Sequence, residues 1–291
     1  MHTYPLLTAL EQAALPKLMA APILLPSKFD DSTHQIWLCE TLDGRMVLKV
    51  CNQAAVAKSG FWLGVNHLFG ADFPNSLGQI QQTHALLNNL GVYTVPDFVA
   101  SSSNRFVLTR FVEGVDVDAS QVTDAMVLRL AKHVGLLHQC QQATWGELHT
   151  PAYPASDWCK RLHATLVALA EQSAVTIPDA LLEGVLKQVS TLEEPEFVPL
   201  MLDLRWDQFR TAGDKGALAL IDLDAFVMGP RALELVLLEY VLTPAQFPIF
   251  KAAYTKRNEW PSYASHKPCY QLLLFLMQVL GETDLASWMK R

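Results

Sequence analysis

The segment from Met201 to Asp224 constrains the fold most, because it places polar side chains at fixed spacing between apolar runs. Asp203 and Gln208 lie five residues apart, and Asp222 directly follows the apolar run Ala217-Leu-Ala-Leu-Ile221. Short apolar runs bounded by polar residues are typical of buried β-strands. Because helical periodicity flanks the segment on both sides, we predict a short β-hairpin with polar side chains inside a helix-rich half.

The remaining periodicity predicts two parts of different structure. The chain up to about residue 111 is strand-rich with one helix, and the pair Asp43-Gly44 between two apolar runs predicts a hairpin. The predicted strands are 23–25, 36–41, 46–51, 94–100 and 105–112. The predicted helices are 77–90, about 123–141, 156–173 and 179–192, and those from about 231 to the end. We therefore predict an α+β fold with two lobes, residues 1–111 and 112–291.

Composition narrows the class of protein. Apolar residues make up 51% and charged residues 18% of the 291 residues, which favours a well-packed globular chain. The net charge of −7 gives no indication of the basic face that nucleic acids bind. No apolar run approaches the ~20 residues that span a bilayer, and the N-terminus lacks a signal-peptide pattern. Five scattered cysteines without a C-x-x-C pair are expected to stay reduced, so we expect a cytoplasmic protein.

The polar residues of the 201–224 segment fit the chemistry of phosphoryl transfer. One carboxylate, Asp203, can orient an attacking hydroxyl, and the Gln208 side-chain oxygen can help to hold a metal ion. A second carboxylate, Asp222, comes at the end of the next strand, where it can grip a metal that bridges nucleotide phosphates. Arg205 adds a fixed positive charge two residues after Asp203. The competing interpretation of Asp203 is an ordinary aspartate that caps a turn.

The pair Asp222-Leu-Asp224 after an apolar strand also fits two other enzyme classes. Haloacid-dehalogenase-type phosphatases usually carry D-x-D near the start of an alternating α/β chain, whereas here it lies at three-quarters of the length. Metal-dependent glycosyltransferases need a nucleotide-sugar domain, of which the sequence shows no trace. Both interpretations are less favoured than phosphoryl transfer and stay open at this point.

These motifs together resemble the protein-kinase-like phosphotransferases, in the branch of the aminoglycoside phosphotransferases, choline kinases and fructosamine kinases. That branch shows His-Gly-Asp-x-x-x-x-Asn, then Ile-Asp-x-Glu/Asp, then Gly-x-x-x-x-Asp-Leu. This chain keeps the order and spacing but has Met201 for His, Gln208 for Asn and Glu234 for Asp. The resemblance implies a two-lobed kinase-like fold, with an N-terminal antiparallel sheet plus one helix and a mostly helical C-terminal lobe.

The resemblance also implies an ATP- and Mg²⁺-dependent enzyme that transfers the γ-phosphate to a hydroxyl of a sugar, aminoglycoside, fructosamine or amino alcohol. Asp203 would be the base, while Arg205 would steady phosphates. Asp222 would be the main metal ligand, with Gln208 as a secondary ligand and Asp224 as support for the metal site. The expected partner is a small-molecule acceptor, with neither nucleic acid nor membrane.

In the strand-rich part, the resemblance assigns a nucleotide site. Lys49, within Met46-Val-Leu-Lys-Val50, would contact the ATP phosphates, although on its own it could be an ordinary lysine of an edge strand. Backbone groups of Ser32, Thr33 and His34 could face phosphates, and an ordinary polar turn is an equal interpretation. Thr109 and Phe111 align with the hinge, whose backbone pairs with adenine.

Three departures from the family pattern motivate a rival function. The predicted helix 77–90 has no acid to pair with Lys49, so we expect Gln79 or Gln82 to take that place. Met201 and Gln208 are the other two departures. The rival is a kinase-like binding or scaffold protein with weak or no catalysis. His138, on the apolar face of a helix, is interpreted as a packing histidine.

Overall fold

The chain folds into two compact units. The computed structural model describes residues 2–27, 32–193, 196–212 and 217–291. The first unit consists of Met1–Ser59, Asp72–Val115 and Arg210–Asp224, and the second of Gly60–Ala71, Asp116–Phe209 and Ala225–Arg291. The units therefore do not follow a single boundary along the chain. The predicted division into a nucleotide-binding lobe 1–111 and a substrate lobe 112–291 stays a prediction.

The first unit is built on an antiparallel five-stranded sheet with strand order β1-β2-β3-β5-β4. Its strands are β1 Ile23–Leu24, β2 His34–Thr41, β3 Gly44–Cys51, β4 Phe98–Ser102 and β5 Phe106–Arg110. Its helices are α1 Ala9–Ala13, α2 Gln53–Val56 and α4 Ile80–Leu90, the last preceded by a 3₁₀ turn over Asn75–Gln79. The predicted strands and the predicted helix 77–90 appear here with boundaries shifted by a few residues.

The hairpin of β2 and β3 forms at Asp43-Gly44, as the sequence predicts. Thr41 pairs with Gly44, whose φ of 106° is a conformation that glycine adopts without strain. The Thr41 hydroxyl supports the turn by donating to the Gly44 carbonyl at 2.7 Å. The register then pairs Ile36 with Lys49, so β3 is the central strand of the sheet and the edge-strand interpretation of Lys49 is wrong.

The N-terminal segment covers one face of this sheet, which the sequence alone does not indicate. Tyr4, Leu7 and Leu15 pack with Cys39, Met46, Leu48, Val50, Phe106 and Leu108 into one buried apolar cluster. Because side chains alternate along a strand, burial of Met46, Leu48 and Val50 on this face turns Lys49 to the opposite face.

The second unit is mostly helical. Its helices are α3 Gly60–Phe69, α5 Asp124–Leu137, α6 Trp158–Gln172, α7 Asp179–Val189, α8 Arg231–Val241, α9 Gln246–Tyr254, α10 Lys267–Leu276 and α11 Leu285–Met289. Helices are thus formed in all the predicted helical regions, and the α+β prediction is confirmed. None of the helices formed by the described residues is long and apolar enough to cross a membrane.

Helix α3 belongs to the second unit although it comes early in the chain. Its Leu68 and Phe69 are fully buried, and the Phe69 ring lies 6.0 Å from that of Trp158 on α6. A Cβ at Gly64 would lie 2.5 Å from the Met277 side chain, so a glycine permits this close approach. The sequence analysis predicts no helix here.

A four-stranded antiparallel sheet of the second unit holds the loop that carries Asp203. Its order is β8-β7-β12-β9. The strands are β7 Thr144–Glu147, β8 Tyr153–Pro154, β9 Phe197–Met201 and β12 Phe226–Pro230. Strand β9 pairs with β12 from Met201↔Phe226 to Phe197↔Pro230, rather than with the strand that precedes Asp222. The strand before Asp203 therefore forms no hairpin with the strand before Asp222.

The strands between Asp203 and Asp222 belong to another sheet, with order β11-β10-β6. Its strands are β6 Val115–Asp116, β10 Phe209–Ala212 and β11 Ala217–Leu220. The chain passes from one compact unit to the other within β6 and β10. Asp203 and Asp222 consequently fall in different units, although only nineteen residues separate them in the chain.

Candidate active site

Lys49 and Asp222 form an ion pair in the first unit. Lys49 Nζ lies 2.8 Å from Asp222 Oδ1 and 3.5 Å from the Ile221 carbonyl oxygen. The Lys49 side chain is only 15% exposed, so its charge needs a partner in place of water. Lys49 is therefore in direct contact with Asp222, the first carboxylate of the D-x-D pair.

The D-x-D pair follows β11 directly, as the sequence predicts. Leu218 and Leu220 are buried, and both bond through their backbone to Thr94 of the same unit, at 3.0 and 2.9 Å. Leu223 is also buried, which fixes the backbone between the two carboxylates. Asp222 keeps a 33% exposed side chain, whereas the Asp224 side chain is only 6% exposed.

Asp224 meets His34, for whose side chain the sequence predicts no role. His34 Nε2 lies 3.5 Å from Asp224 Oδ2. Burial raises the pKa of Asp224 more strongly than the nearby Lys49 and His34 lower it. Burial likewise lowers the pKa of His34, against the attraction of Asp224. The contact depends on the sheet register, which places His34 on the same strand and face as Ile36, the pairing partner of Lys49.

The sequence predicts that Gln79 or Gln82, in the turn before helix α4 and in its first turn, takes the place of the missing acid. Gln82 is exposed and Lys49 pairs with Asp222, while a contact from Gln79 stays a prediction. The buried polar residues of α4 are Thr83 and His84, and His84 Nδ1 bonds to the Pro96 carbonyl at 2.9 Å. Burial lowers the pKa of His84, and the charge of Lys49 adds to that effect.

The Ser32 and Thr33 hydroxyls make local contacts. Ser32 Oγ donates to the His34 carbonyl at 3.0 Å, and Thr33 Oγ1 lies 3.4 Å from His34 Nδ1. The preceding Asp31 lies outside the described residues. Phosphate binding by the backbone of this turn stays a prediction, while both hydroxyls bear on the position of His34.

The predicted hinge residues Thr109 and Phe111 lie at the end of β5 and just beyond it. The Phe111 N–H donates to the Arg45 carbonyl at 2.9 Å, and the Val112 carbonyl accepts from Arg210 at 3.0 Å. The Phe111 ring lies 4.4 Å from the Arg45 guanidinium and 5.2 Å from that of Arg210. A nucleotide base would therefore have to use other backbone groups here, and the role of both residues stays a prediction.

Asp203, Arg205 and Gln208 form one cluster in the second unit. Buried Leu202 and Leu204 anchor the loop after β9, so Asp203 and Arg205 turn outward with about a quarter of each side chain exposed. Arg205 Nε lies 3.1 Å from Asp203 Oδ1, and Gln208 Nε2 donates to Asp203 Oδ2 at 2.8 Å. Both carboxylate oxygens of Asp203 are thus held in place.

Arg205 also approaches Asp207, whose Oδ1 lies 3.5 Å from Arg205 Nε. The guanidinium therefore stands between two carboxylates of one short loop. A fixed planar group in this position orients Asp203 in addition to carrying charge. The family resemblance implies a role for Arg205 at phosphates, whereas its contact with Asp203 is not predicted from the sequence.

The oxygen donors fit a magnesium ion that is bound together with phosphates. Mg²⁺ is usually held by one or two carboxylates, while phosphates and water complete its shell. Asp222 and Asp224 supply two neighbouring carboxylates within the first unit, whereas Gln208 lies in the second unit and its role as a ligand stays a prediction. The described residues contain no group of three or more His, Cys, Asp and Glu side chains that could hold a metal alone.

Glu234 explains how the loop before Asp203 is held without the usual histidine at position 201. The carboxylate of Glu234 is fully buried, and its Oε1 accepts the Met201 backbone N–H at 2.8 Å. Its Oε2 lies 2.8 Å from His138 Nε2, and His138 Nδ1 lies 2.8 Å from the Tyr254 hydroxyl. His138 is therefore part of a buried hydrogen-bond chain that ends two residues before Asp203, as well as a packing residue.

We expect Glu234→Ala to lower the free energy of unfolding by about 3–5 kcal/mol, because it leaves buried polar partners unpaired. Urea denaturation measures this loss. Glu183→Ala, at an exposed position of α7, is the matched control and should change stability by about 0.5 kcal/mol or less. A similar small change in both variants would contradict a supporting role for Glu234.

Comparison with models of known protein families identifies the family of this chain. The model of the phosphotransferase enzyme family matches residues 29–269 of the chain, which includes both clusters described above. The chain therefore belongs to this family and is a phosphotransferase, which decides against the phosphatase and glycosyltransferase interpretations. A comparison with curated proteins finds no match.

Solved structures share the fold at low sequence identity. A proposed fructosamine-3-kinase from Haemophilus somnus 129PT is 15% identical, with a TM-score of 0.62 over 96% of this chain and 90% of that one. Macrolide 2'-phosphotransferase MphH from Brachybacterium faecium is 16% identical, with a TM-score of 0.59 over 93% of this chain and 91% of that one. Choline kinase LicA from Streptococcus pneumoniae is 14% identical, with a TM-score of 0.58 over 94% of this chain and 90% of that one. The predicted kinase-like fold and branch are thereby confirmed.

Proposed function

We propose that this phosphotransferase moves the γ-phosphate of Mg·ATP to a hydroxyl group of a small molecule. The observation that carries the proposal is the pairing of Lys49, on the central strand of the first unit, with the first carboxylate of Asp222-Leu-Asp224. A lysine and two carboxylates within one unit supply complementary charges for phosphates and for the cation that accompanies them.

On the nucleotide side, Lys49 would bind phosphate oxygens as a compact positive charge. Asp222 would be the main ligand of Mg²⁺, with Asp224 as its neighbour and Gln208 as a further oxygen donor. When bound, Mg²⁺ would neutralise charge on the phosphates. In its absence Lys49 neutralises Asp222, since the two side chains lie 2.8 Å apart.

On the acceptor side, Asp203 would orient the hydroxyl and accept its proton while the hydroxyl oxygen bonds to the γ-phosphorus. ADP leaves with the electron pair of the broken P–O bond. Gln208 and Arg205 hold the two carboxylate oxygens of Asp203, and this preorganisation is the main contribution that a kinase site makes. Arg205 would also steady a phosphate oxygen.

Known relatives suggest the acceptor classes to test. The related structures are named as kinases or phosphotransferases of fructosamine, macrolides and choline. We therefore propose a sugar, aminoglycoside, fructosamine or amino alcohol as acceptor. Related structures are described with AMP and with GDP, which supports a nucleotide site and makes GTP a necessary comparison with ATP.

Aromatic and acidic side chains of the second unit are of the types that hold amines and sugars, but several of them are buried or already paired. Trp145, Trp158 and Trp206 are buried, so they are unsuited to hold an acceptor directly. Glu239 accepts from Tyr263 at 2.8 Å and pairs with Lys267. These contacts give no chemical preference within the proposed acceptor classes.

Thermal unfolding with and without nucleotide tests the proposal. At a hundredfold excess over Kd, Mg·ATP should stabilise the protein by about 2.7 kcal/mol, and ATP with EDTA by less. Mass spectrometry of sugars, amino alcohols, fructosamines, aminoglycosides and macrolides incubated with Mg·ATP or Mg·GTP then detects the phosphorylated product. Absence of stabilisation by either nucleotide would overturn the proposal.

The same experiment separates the enzyme from a scaffold. Stabilisation by Mg·ATP without product from any acceptor would favour a kinase-like binding protein. At two of the three departures that motivate this rival, the loop that carries Asp203 is still held by hydrogen bonds. Glu234 accepts the Met201 backbone N–H, and Gln208 donates to Asp203. We place the reaction in the cytoplasm, where ATP and Mg²⁺ are available and the five cysteines, all free thiols, would stay reduced.

A further inference from the structure

We propose that His34 is a positioning residue that holds the carboxylate of Asp224 in the orientation needed for binding Mg²⁺ with nucleotide. The proposal rests on the proposed function and assigns a role to a residue outside its catalytic set. It rests first on the sheet register. His34 pairs with Cys51 and Ile36 with Lys49, so His34 and Lys49 lie on the same face of neighbouring strands.

Two strands of one sheet thus each direct one side chain to one carboxylate of the D-x-D pair. Lys49 on β3 meets Asp222 at 2.8 Å, and His34 on β2 approaches Asp224 at 3.5 Å. Leu223 is buried between the two aspartates, so their backbone cannot turn independently of the sheet contacts. Each carboxylate of the D-x-D pair therefore faces a different side chain of the sheet.

The His34 ring is oriented by its other neighbours. Thr33 Oγ1 lies 3.4 Å from Nδ1, and the Phe73 ring packs edge-on at 5.9 Å. When Nδ1 accepts from the Thr33 hydroxyl, the ring proton is on Nε2, the atom that faces Asp224. His34 Nε2 is buried and has no hydrogen-bond partner within the part of the chain that the structure describes. A movement of a few tenths of an ångström would bring it to hydrogen-bond distance.

Such a contact resembles the outer-shell contacts that orient metal-ligating carboxylates. Loss of an outer-shell partner typically weakens metal binding by roughly 10–100-fold, while the ligands themselves remain. We therefore expect His34→Phe, which keeps a ring against Phe73 but removes both nitrogens, to raise the Mg²⁺ concentration for half-maximal nucleotide binding by roughly tenfold.

Isothermal titration calorimetry with ATP at a series of Mg²⁺ concentrations, and with ATP in EDTA, measures this change. Metal-free ATP affinity should be unchanged, because His34 contacts the carboxylate rather than the nucleotide. His34→Gln keeps a donor nitrogen at similar reach and should restore most of the Mg²⁺ dependence. Gln35→Ala, at an exposed position on the opposite face of β2, is the control and should match the wild type.

A parallel loss of affinity with and without Mg²⁺, or no restoration by His34→Gln, would overturn the proposal, because either result indicates a purely structural role. A second measurement is independent of nucleotide. The midpoint shifts of His34→Phe and Asp224→Asn in thermal unfolding should be less than additive in the double variant, since both remove one contact. If wild-type protein binds no Mg·ATP, the proposed function fails, and additivity or its absence still decides the His34–Asp224 contact.

Discussion

Asp222→Ala is expected to abolish Mg²⁺-dependent binding of ATP, and with it turnover. The variant removes the more exposed carboxylate of the D-x-D pair, which is the better placed of the two to meet a hydrated cation. It also removes the carboxylate that lies 2.8 Å from Lys49, so the lysine charge is no longer neutralised by Asp222 and attracts phosphate more strongly. We therefore expect ATP affinity in EDTA to be retained or slightly raised.

Calorimetric titration of ATP with and without Mg²⁺ distinguishes these effects. Asp97→Ala is the matched control, since Asp97 lies in the same unit with a 76% exposed side chain and a 3.8 Å contact to Arg110. That variant should bind Mg·ATP like the wild type. Unchanged Mg²⁺-dependent affinity in Asp222→Ala would remove Asp222 from the metal site, and circular dichroism confirms that both variants are folded.

The sequence predicted the elements that carry local signals. Asp43-Gly44 specifies the β2–β3 hairpin through backbone conformation, and the apolar run 217–221, which contains β11, ends directly before Asp222. Such signals depend only on neighbouring residues, so they can be read from one chain. The lysine on the strand and the D-x-D pair were found in this way, and the structure brings them together within the first unit.

Features that depend on long-range packing could not be predicted. Strand β9 has the same apolar pattern whether it pairs with β11 or with β12, and only the tertiary structure selects β12. The sequence of helix α3 likewise does not indicate that the helix packs in the second unit. His34 was considered only for its backbone, because the proximity of its ring to Asp224 depends on sheet register and on a segment about 190 residues away.

The departures from the family pattern illustrate the same limit. Met201 stands where the family pattern has His and Glu234 where it has Asp, and the sequence does not indicate that the two positions are in contact. In the structure Glu234 bonds to the backbone N–H of Met201, an interaction that any residue at position 201 except proline can provide. The side chain at 201 is therefore free to become a buried apolar residue, provided that position 234 keeps an acceptor.

Asp203→Asn is expected to lower phosphoryl transfer by roughly 10²–10⁴-fold, the contribution of a positioned general base. An amide cannot accept the proton of the acceptor hydroxyl, although its size and shape are close to those of the carboxylate. Nucleotide affinity should stay within a few-fold of wild type, because the base acts in the chemical step and not in ATP binding. Arg205 loses one of its two carboxylate contacts but keeps the one to Asp207.

The fold should also survive the substitution. Asp203 and Arg205 are each about a quarter exposed, and ion pairs at such positions contribute little to stability. Transfer is measured by mass spectrometry of the acceptor, and ATP affinity by calorimetry. Asp179→Asn makes the same chemical change at an exposed position of α7 and serves as the control. Because only the base role predicts a loss of transfer with retained nucleotide affinity, equal turnover in Asp203→Asn and wild type would exclude Asp203 as the base.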